Sequence, residues 1–70
     1  MEKDFLQKIG KNIKAERVRK GLSQEQLAEL VGTSSRTVGL IENGVQQPKI
    51  LLVVNLAKAL GVDINEFLKI

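Results

Sequence analysis

The sequence has 70 residues, a formal net charge of +3 and 43% hydrophobic residues, but only two aromatic ones, so its core must be almost entirely aliphatic. It contains neither Cys nor His, which excludes disulfides, the usual Cys/His zinc sites and histidine-based acid–base catalysis. It also lacks an apolar run of the roughly 18 residues that a membrane span needs, and no apolar signal stretch follows the charged N-terminus. We therefore expect a single cytoplasmic domain over residues 1–70, with no metal, no other cofactor, no membrane contact and no enzymatic activity.

The basic residues are concentrated near the N-terminus. Residues 1–20 carry seven basic and three acidic residues, whereas residues 21–70 carry four and five. A basic first helix suits an anionic partner. Charge alone, however, is better explained by an ordinary solvated helix face.

Apolar spacing, caps and glycines divide the chain into five short helices. They are predicted, in order, over residues 6–20, 24–31, 34–42, 48–60 and 63–68. Ser23 begins a capping box for the second helix, Ser34 caps the third, Pro48 opens the fourth, and Asp63 begins a second capping box. Strand-like alternation is lacking throughout, so the predicted fold is a compact all-α domain.

The second and third helices have the outline of a helix-turn-helix motif over residues 24–43. Ala28 is small enough for the helix crossing, and Gly32 tolerates the positive φ that the turn needs. Val38 and Ile41 are branched apolar residues that would anchor the inner face of the third helix. The outward positions of that helix are Ser35, Arg36, Gly39 and Leu40.

Residues 13–67 resemble the Cro/C1-type helix-turn-helix domain of phage repressors and of many small bacterial and plasmid regulators. The resemblance is carried by GLSQEQLA at 21–28, VGTS at 31–34 and IENG at 41–44, and by Pro48 and the segments that follow it. It implies a five-helix, lambda-repressor-like domain. It also implies sequence-specific binding of double-stranded DNA by a transcriptional regulator, usually a homodimeric repressor.

The resemblance also implies roles for individual residues. The positions that would contact bases are Ser35, Arg36, Gly39 and Leu40. The positions that would contact phosphates are Gln24, Ser34, Thr37, Asn43 and Lys49. Arg36 could pair with guanine O6 and N7, but a surface salt bridge or a phosphate contact would explain it equally well. Helix capping alone would explain Ser34 and Asn43, and Gln24 and Lys49 could be plain surface residues.

Three further expectations come from matching the chain to the family. Arg17 and Glu42 match a buried salt bridge that ties the first helix to the recognition helix. Glu16 stands where a core Leu is common, which predicts a less tightly packed first helix.

The third expectation concerns the fourth helix, which is apolar nearly all round because Leu51 and Leu52 occupy positions that are usually polar. With Phe67 and Ile70, these leucines predict a dimer or partner surface. An alternative function therefore stays open: a protein-interaction module, such as an antitoxin or co-regulator, that docks its partner through residues 48–60.

Overall fold

A computed structural model describes residues 2–69 of the chain. Four α-helices and one 3-10 helix follow each other in this order: α1 Glu2–Arg19, α2 Gln24–Val31, α3 Ser35–Glu42, α4 Ile50–Leu60 and the 3-10 helix Ile64–Leu68. Within residues 2–69 there is no β-strand, so the all-α prediction is confirmed. Ile70, which was predicted to lie on a partner surface, falls outside the described residues.

Three predicted helix features are wrong in detail: the first residue of α1, the first residue of α4 and the type of the last helix. α1 begins at Glu2 rather than near Leu6. α4 begins at Ile50, because Lys49 has an extended backbone (φ −71°, ψ 154°) and is the N-cap residue. Proline fixes only its own φ, so Pro48 can precede a cap as easily as open a helix.

The last element is a 3-10 helix rather than an α-helix. The Asp63 side chain accepts a hydrogen bond from the Asn65 backbone N–H at 2.8 Å. The Asp63 carbonyl accepts one from the Glu66 N–H at 2.9 Å. This three-residue spacing is the tighter ladder typical of very short helices, and it replaces the predicted capping box.

The core lies where the four α-helices and the 3-10 helix meet, with Val38 and Ile41 contributed by α3. Its largest fully buried side chains are Phe67, Ile13, Leu27, Leu56 and Leu60. Phe67 has no exposed surface, so its predicted place on a partner surface is wrong. Burying the ring removes a large apolar area from water, and the Asn12 amide fixes this segment by donating to the carbonyls of Phe67 at 2.9 Å and Lys69 at 2.6 Å.

α1 approaches the end of α3 very closely at Gly10. A Cβ atom built on Gly10 would lie 2.4 Å from the Ile41 carbonyl oxygen and 2.5 Å from that of Glu42. Neither neighbour is a flexible side-chain tip, so only glycine fits without a backbone shift. This contact, which the sequence analysis missed, places α1 against the C-terminal end of the predicted recognition helix.

Glu16 is buried on α1, with 6% of its surface exposed. Its carboxylate lies 3.6 Å from a guanidinium nitrogen of Arg19, whose side chain is exposed. A buried carboxylate is costly unless its charge is compensated, and Arg19 supplies an opposite charge one turn away. Arg19 therefore partly offsets the cost of placing the charged Glu16 at an inward position of α1.

Candidate nucleic-acid interface

The N-terminus of α2 is held by the predicted capping box. The Ser23 hydroxyl accepts from the Gln26 backbone N–H at 3.0 Å, and the Gln26 side-chain oxygen accepts from the Ser23 N–H at 2.8 Å. The helix ends at Gly32, which has φ +75°. Since the positive φ is readily available only to glycine, this residue sets the turn between α2 and α3.

The N-terminus of α3 brings Ser34 and Thr37 together. The Ser34 Oγ accepts from the Thr37 backbone N–H at 3.1 Å and donates to Thr37 Oγ1 at 3.0 Å. The hydroxyl proton of Thr37 is not used in this pair and can still be donated outward. Both residues were predicted to contact phosphate; Ser34 is also the N-cap of α3, and Thr37 supplies the backbone N–H that it caps.

α3 separates an inward face from an outward one. Val38 and Ile41 are buried, whereas Arg36 is exposed, and Ser35, Gly39 and Leu40 are partly exposed. Within residues 2–69, Arg36 forms no ion pair. The surface salt bridge that would have explained Arg36 without DNA is therefore not formed by the described residues.

Behind this face, Arg17 and Glu42 form a two-pronged ion pair. Arg17 Nε lies 2.6 Å from Glu42 Oε2, and Arg17 Nη2 lies 3.1 Å from Oε1. The two side chains are only 10% and 1% exposed. Arg17 Nη1 also donates to the Leu22 carbonyl at 2.8 Å, so the guanidinium ties α1, the loop before α2 and the end of α3 together.

Gln24, the predicted phosphate contact on α2, belongs to the same network. Its Nε2 donates to Glu42 Oε1 at 3.0 Å, and the side chain is half-buried. One N–H of this amide remains for an outside acceptor. Sequence reasoning missed the bond between Gln24 and Glu42, because residues 18 positions apart share no local pattern.

The remaining predicted phosphate contacts lie further along the chain. Asn43 is exposed and forms the C-cap of α3, with its backbone N–H donating to the carbonyl of Gly39 at 3.0 Å. Lys49 is exposed, and its side chain makes no capping hydrogen bond. Gln24 is bonded to Glu42, and Asn43 follows Glu42 in the chain. Among the described residues, no side-chain hydrogen bond or ion pair joins Lys49 to them.

The apolar surface of α4 is shifted from its predicted position. Ile50 and Leu51 are 73% and 68% exposed, whereas Leu52 is partly buried and packs against the core. Beside Ile50 lies an apolar groove of about 390 Å³, between the N-terminal part of α1 and the 3-10 helix. Its rim carries the exposed side chains of Phe5 and Leu68.

Comparison with known proteins decides the family. A family model described as Helix-turn-helix (HTH_3) matches residues 13–67. The chain belongs to this helix-turn-helix family. This confirms the Cro/C1-type resemblance and makes the chain a DNA-binding transcriptional regulator. None of the helices within residues 2–69 is long and apolar enough to cross a membrane.

Individual relatives agree with this assignment. The chain is 39% identical over 54 residues to YgzD of Bacillus subtilis, an uncharacterized HTH-type transcriptional regulator, covering 77% of this chain and 82% of the relative. It is 42% identical over 50 residues to RstR of Vibrio cholerae, a transcriptional repressor of the cryptic phage CTXphi, covering 71% of this chain and 45% of RstR.

Two solved structures show the same fold. The restriction-modification controller protein C.AhdI from Aeromonas hydrophila has a TM-score of 0.85 and 37% identity, covering 89% of this chain and 94% of that one. Bacillus thuringiensis PlcR, solved in complex with the peptide PapR7 and DNA, has a TM-score of 0.80 and 34% identity. That match covers 87% of this chain and 21% of PlcR.

Proposed function

We propose that this regulator represses transcription as a homodimer that inserts two copies of α3 into successive major grooves, about 34 Å apart. The observation that carries the proposal is the outward face of α3, where Arg36 is exposed and without an ion pair among the described residues. The similarity to RstR, a transcriptional repressor, supports the direction of regulation. The chain would act through binding alone and not as an enzyme.

Within this proposal, α3 reads bases and its surroundings contact phosphates. The guanidinium of Arg36 fits guanine O6 and N7, and Leu40 offers an apolar contact to a thymine methyl group. Ser35 and Gly39 complete the base-facing set, with Gly39 allowing the helix backbone to come close to the duplex. The phosphate contacts would be Gln24, Ser34, Thr37, Asn43 and Lys49.

The dimer would form through the apolar surface at the start of α4. Ile50 and Leu51 are largely exposed beside the groove whose rim holds Phe5 and Leu68. An exposed apolar patch of this kind marks an interaction site, and a two-fold dimer requires one patch that is complementary to itself. Leu52 and Phe67 would support this surface from inside.

Selection of binding sites from a random duplex pool tests the proposal. The Arg36→Ala variant should lose preference at one position of each half-site, at a cost of about 1–3 kcal/mol. The Gln24→Ala variant should instead weaken binding to all sequences alike. If the Arg36→Ala variant selects the wild-type site unchanged, then Arg36 does not read a base.

The exposed apolar surface also supports a second candidate, docking of a different protein through α4. Sedimentation of the Leu51→Gln variant, with and without the selected duplex, separates the two. Loss of the dimer together with weaker DNA binding supports the homodimer. Retention of both would mean that Ile50 and Leu51 serve another partner.

A further inference from the structure

A polar cleft of about 350 Å³ lies between α1 and the C-terminal end of α3. It is lined by Gln7, Lys11, Lys14, Glu42 and Asn43. Residues three and four apart share one face of a helix, so Gln7, Lys11 and Lys14 form a continuous strip along α1. Both lysines are exposed, and neither forms an ion pair within residues 2–69.

The one acidic residue in the cleft does not cancel this positive charge. The Glu42 side chain is 1% exposed, and both of its oxygens accept hydrogen bonds from Arg17. Its Oε1 also accepts from the Gln24 amide. Since the Glu42 charge is compensated inside the fold, the two lysines leave the open side of the cleft positive.

The cleft continues the surface that we propose for phosphate contacts. Asn43 lines the cleft directly, and Gln24 is bonded to the neighbouring Glu42. The close approach of Gly10 to the carbonyls of Ile41 and Glu42 keeps the Lys11 backbone beside the end of α3. The α1 strip therefore lies next to the recognition helix.

We infer that Lys11 and Lys14 bind the phosphate backbone of the DNA next to Asn43, so that α1 forms part of the DNA interface. The inference rests on the proposed insertion of α3 into the major groove and extends the contacted backbone beyond α2 and α3. It gives part of the positive charge in residues 1–20 a defined partner. Phosphate contacts of this kind strengthen binding to every sequence and do not specify bases.

Salt titration of DNA binding tests the inference. The Lys11→Gln/Lys14→Gln variant is compared with wild type on the selected duplex and on a scrambled duplex of equal length. The slope of log K against log salt for the dimer should become less steep by about 3.6, because four phosphate contacts, two in each protomer, are lost and each contributes about 0.9. Affinity of the dimer near 0.1 M salt should fall by roughly 100- to 10,000-fold on both duplexes alike.

The matched control is the Lys58→Gln/Lys69→Gln variant, which removes the same charge from exposed positions outside the cleft. Its salt slope should stay at the wild-type value, and the Lys11→Arg/Lys14→Arg variant should keep most of the affinity. An unchanged slope in the cleft variant would overturn the inference. An equal change in the control would also overturn it, because the lysines would then act only through net charge.

The outcome for wild type separates this inference from the proposed function. If wild type selects and binds a duplex but the cleft variant behaves like wild type, only the role of α1 is refuted. If wild type binds no duplex, the proposed function falls and the inference falls with it. Urea melts of each variant verify that the fold is unchanged.

Discussion

The ion pair between Arg17 and Glu42 can be tested by replacing each partner with an apolar residue of similar size. The relevant variants are Arg17→Met, Glu42→Leu and the double mutant. The pair is bidentate, with contacts of 2.6 and 3.1 Å, and its side chains are 10% and 1% exposed. Removing either partner strands a charge that water can barely reach.

The two single variants should differ in a definite direction. Arg17→Met leaves the Glu42 carboxylate buried with only the Gln24 amide as partner, so we expect a loss of about 3–5 kcal/mol. Glu42→Leu should cost less, about 3 kcal/mol, because the Arg17 guanidinium keeps the Leu22 carbonyl and has a longer reach to solvent. Either loss is a large share of the roughly 4–10 kcal/mol expected for a domain of this size.

The double mutant removes both charges and should recover much of this loss. We expect its stability to fall short of wild type by much less than the sum of the single losses, with a coupling energy of about 2 kcal/mol or more. Urea unfolding is followed by far-ultraviolet circular dichroism, since the chain has no Trp or Tyr for fluorescence. If a single variant does not fold, Glu42→Gln provides a milder perturbation that keeps an acceptor for Arg17.

Two results would refute this reasoning. Single losses below about 1 kcal/mol that simply add would be typical of an exposed pair. A strong weakening of the Glu42→Gln effect by 1 M salt would also place the pair in water, because salt screens exposed charges much more than buried ones.

Three other substitutions test the packing directly. Gly10→Ala should destabilise the fold by about 1–3 kcal/mol in urea melts, because its Cβ would meet two backbone carbonyls at 2.4 and 2.5 Å. Gly39→Ala should instead stabilise it by about 0.8–1 kcal/mol, since its nearest neighbour would be 3.6 Å away, and should weaken binding to the selected duplex. Asn12→Asp should cost about 1–3 kcal/mol and speed amide exchange in the 3-10 helix, because a carboxylate would face the Phe67 and Lys69 carbonyls.

The helix-turn-helix unit was predictable because local rules determine its ends. The capping box at Ser23, the cap at Ser34 and the positive φ of Gly32 depend on residues within four positions of each other. The inward side chains of α3 follow from helical spacing alone. These signals agree with one another, so the bounds of α2 and α3 could be read from the sequence.

The wrong predictions about burial concern residues whose environment is set by distant parts of the chain. Phe67 is buried because the 3-10 helix folds back onto α1, 55 positions from the Asn12 amide that holds it. Leu51 and Leu52 look alike in sequence, yet a rotation of one residue along α4 exposes the first and packs the second against the core. Apolar composition indicated that α4 carries more apolar side chains than its core-facing side needs. It did not indicate which of these side chains are exposed.

Gly10 and Gly39 also show that the sequence does not reveal the surroundings of a residue. Both interrupt helices at positions where Ala would be favoured by propensity, so sequence alone treats them alike. At Gly10 the protein itself excludes a Cβ, through the backbone of α3, whereas at Gly39 the protein leaves room for one beside the Gln24 amide. The fold therefore explains the first glycine completely. For the second, the fold gives no steric reason, and we propose that the reason is the duplex on the outward face of α3.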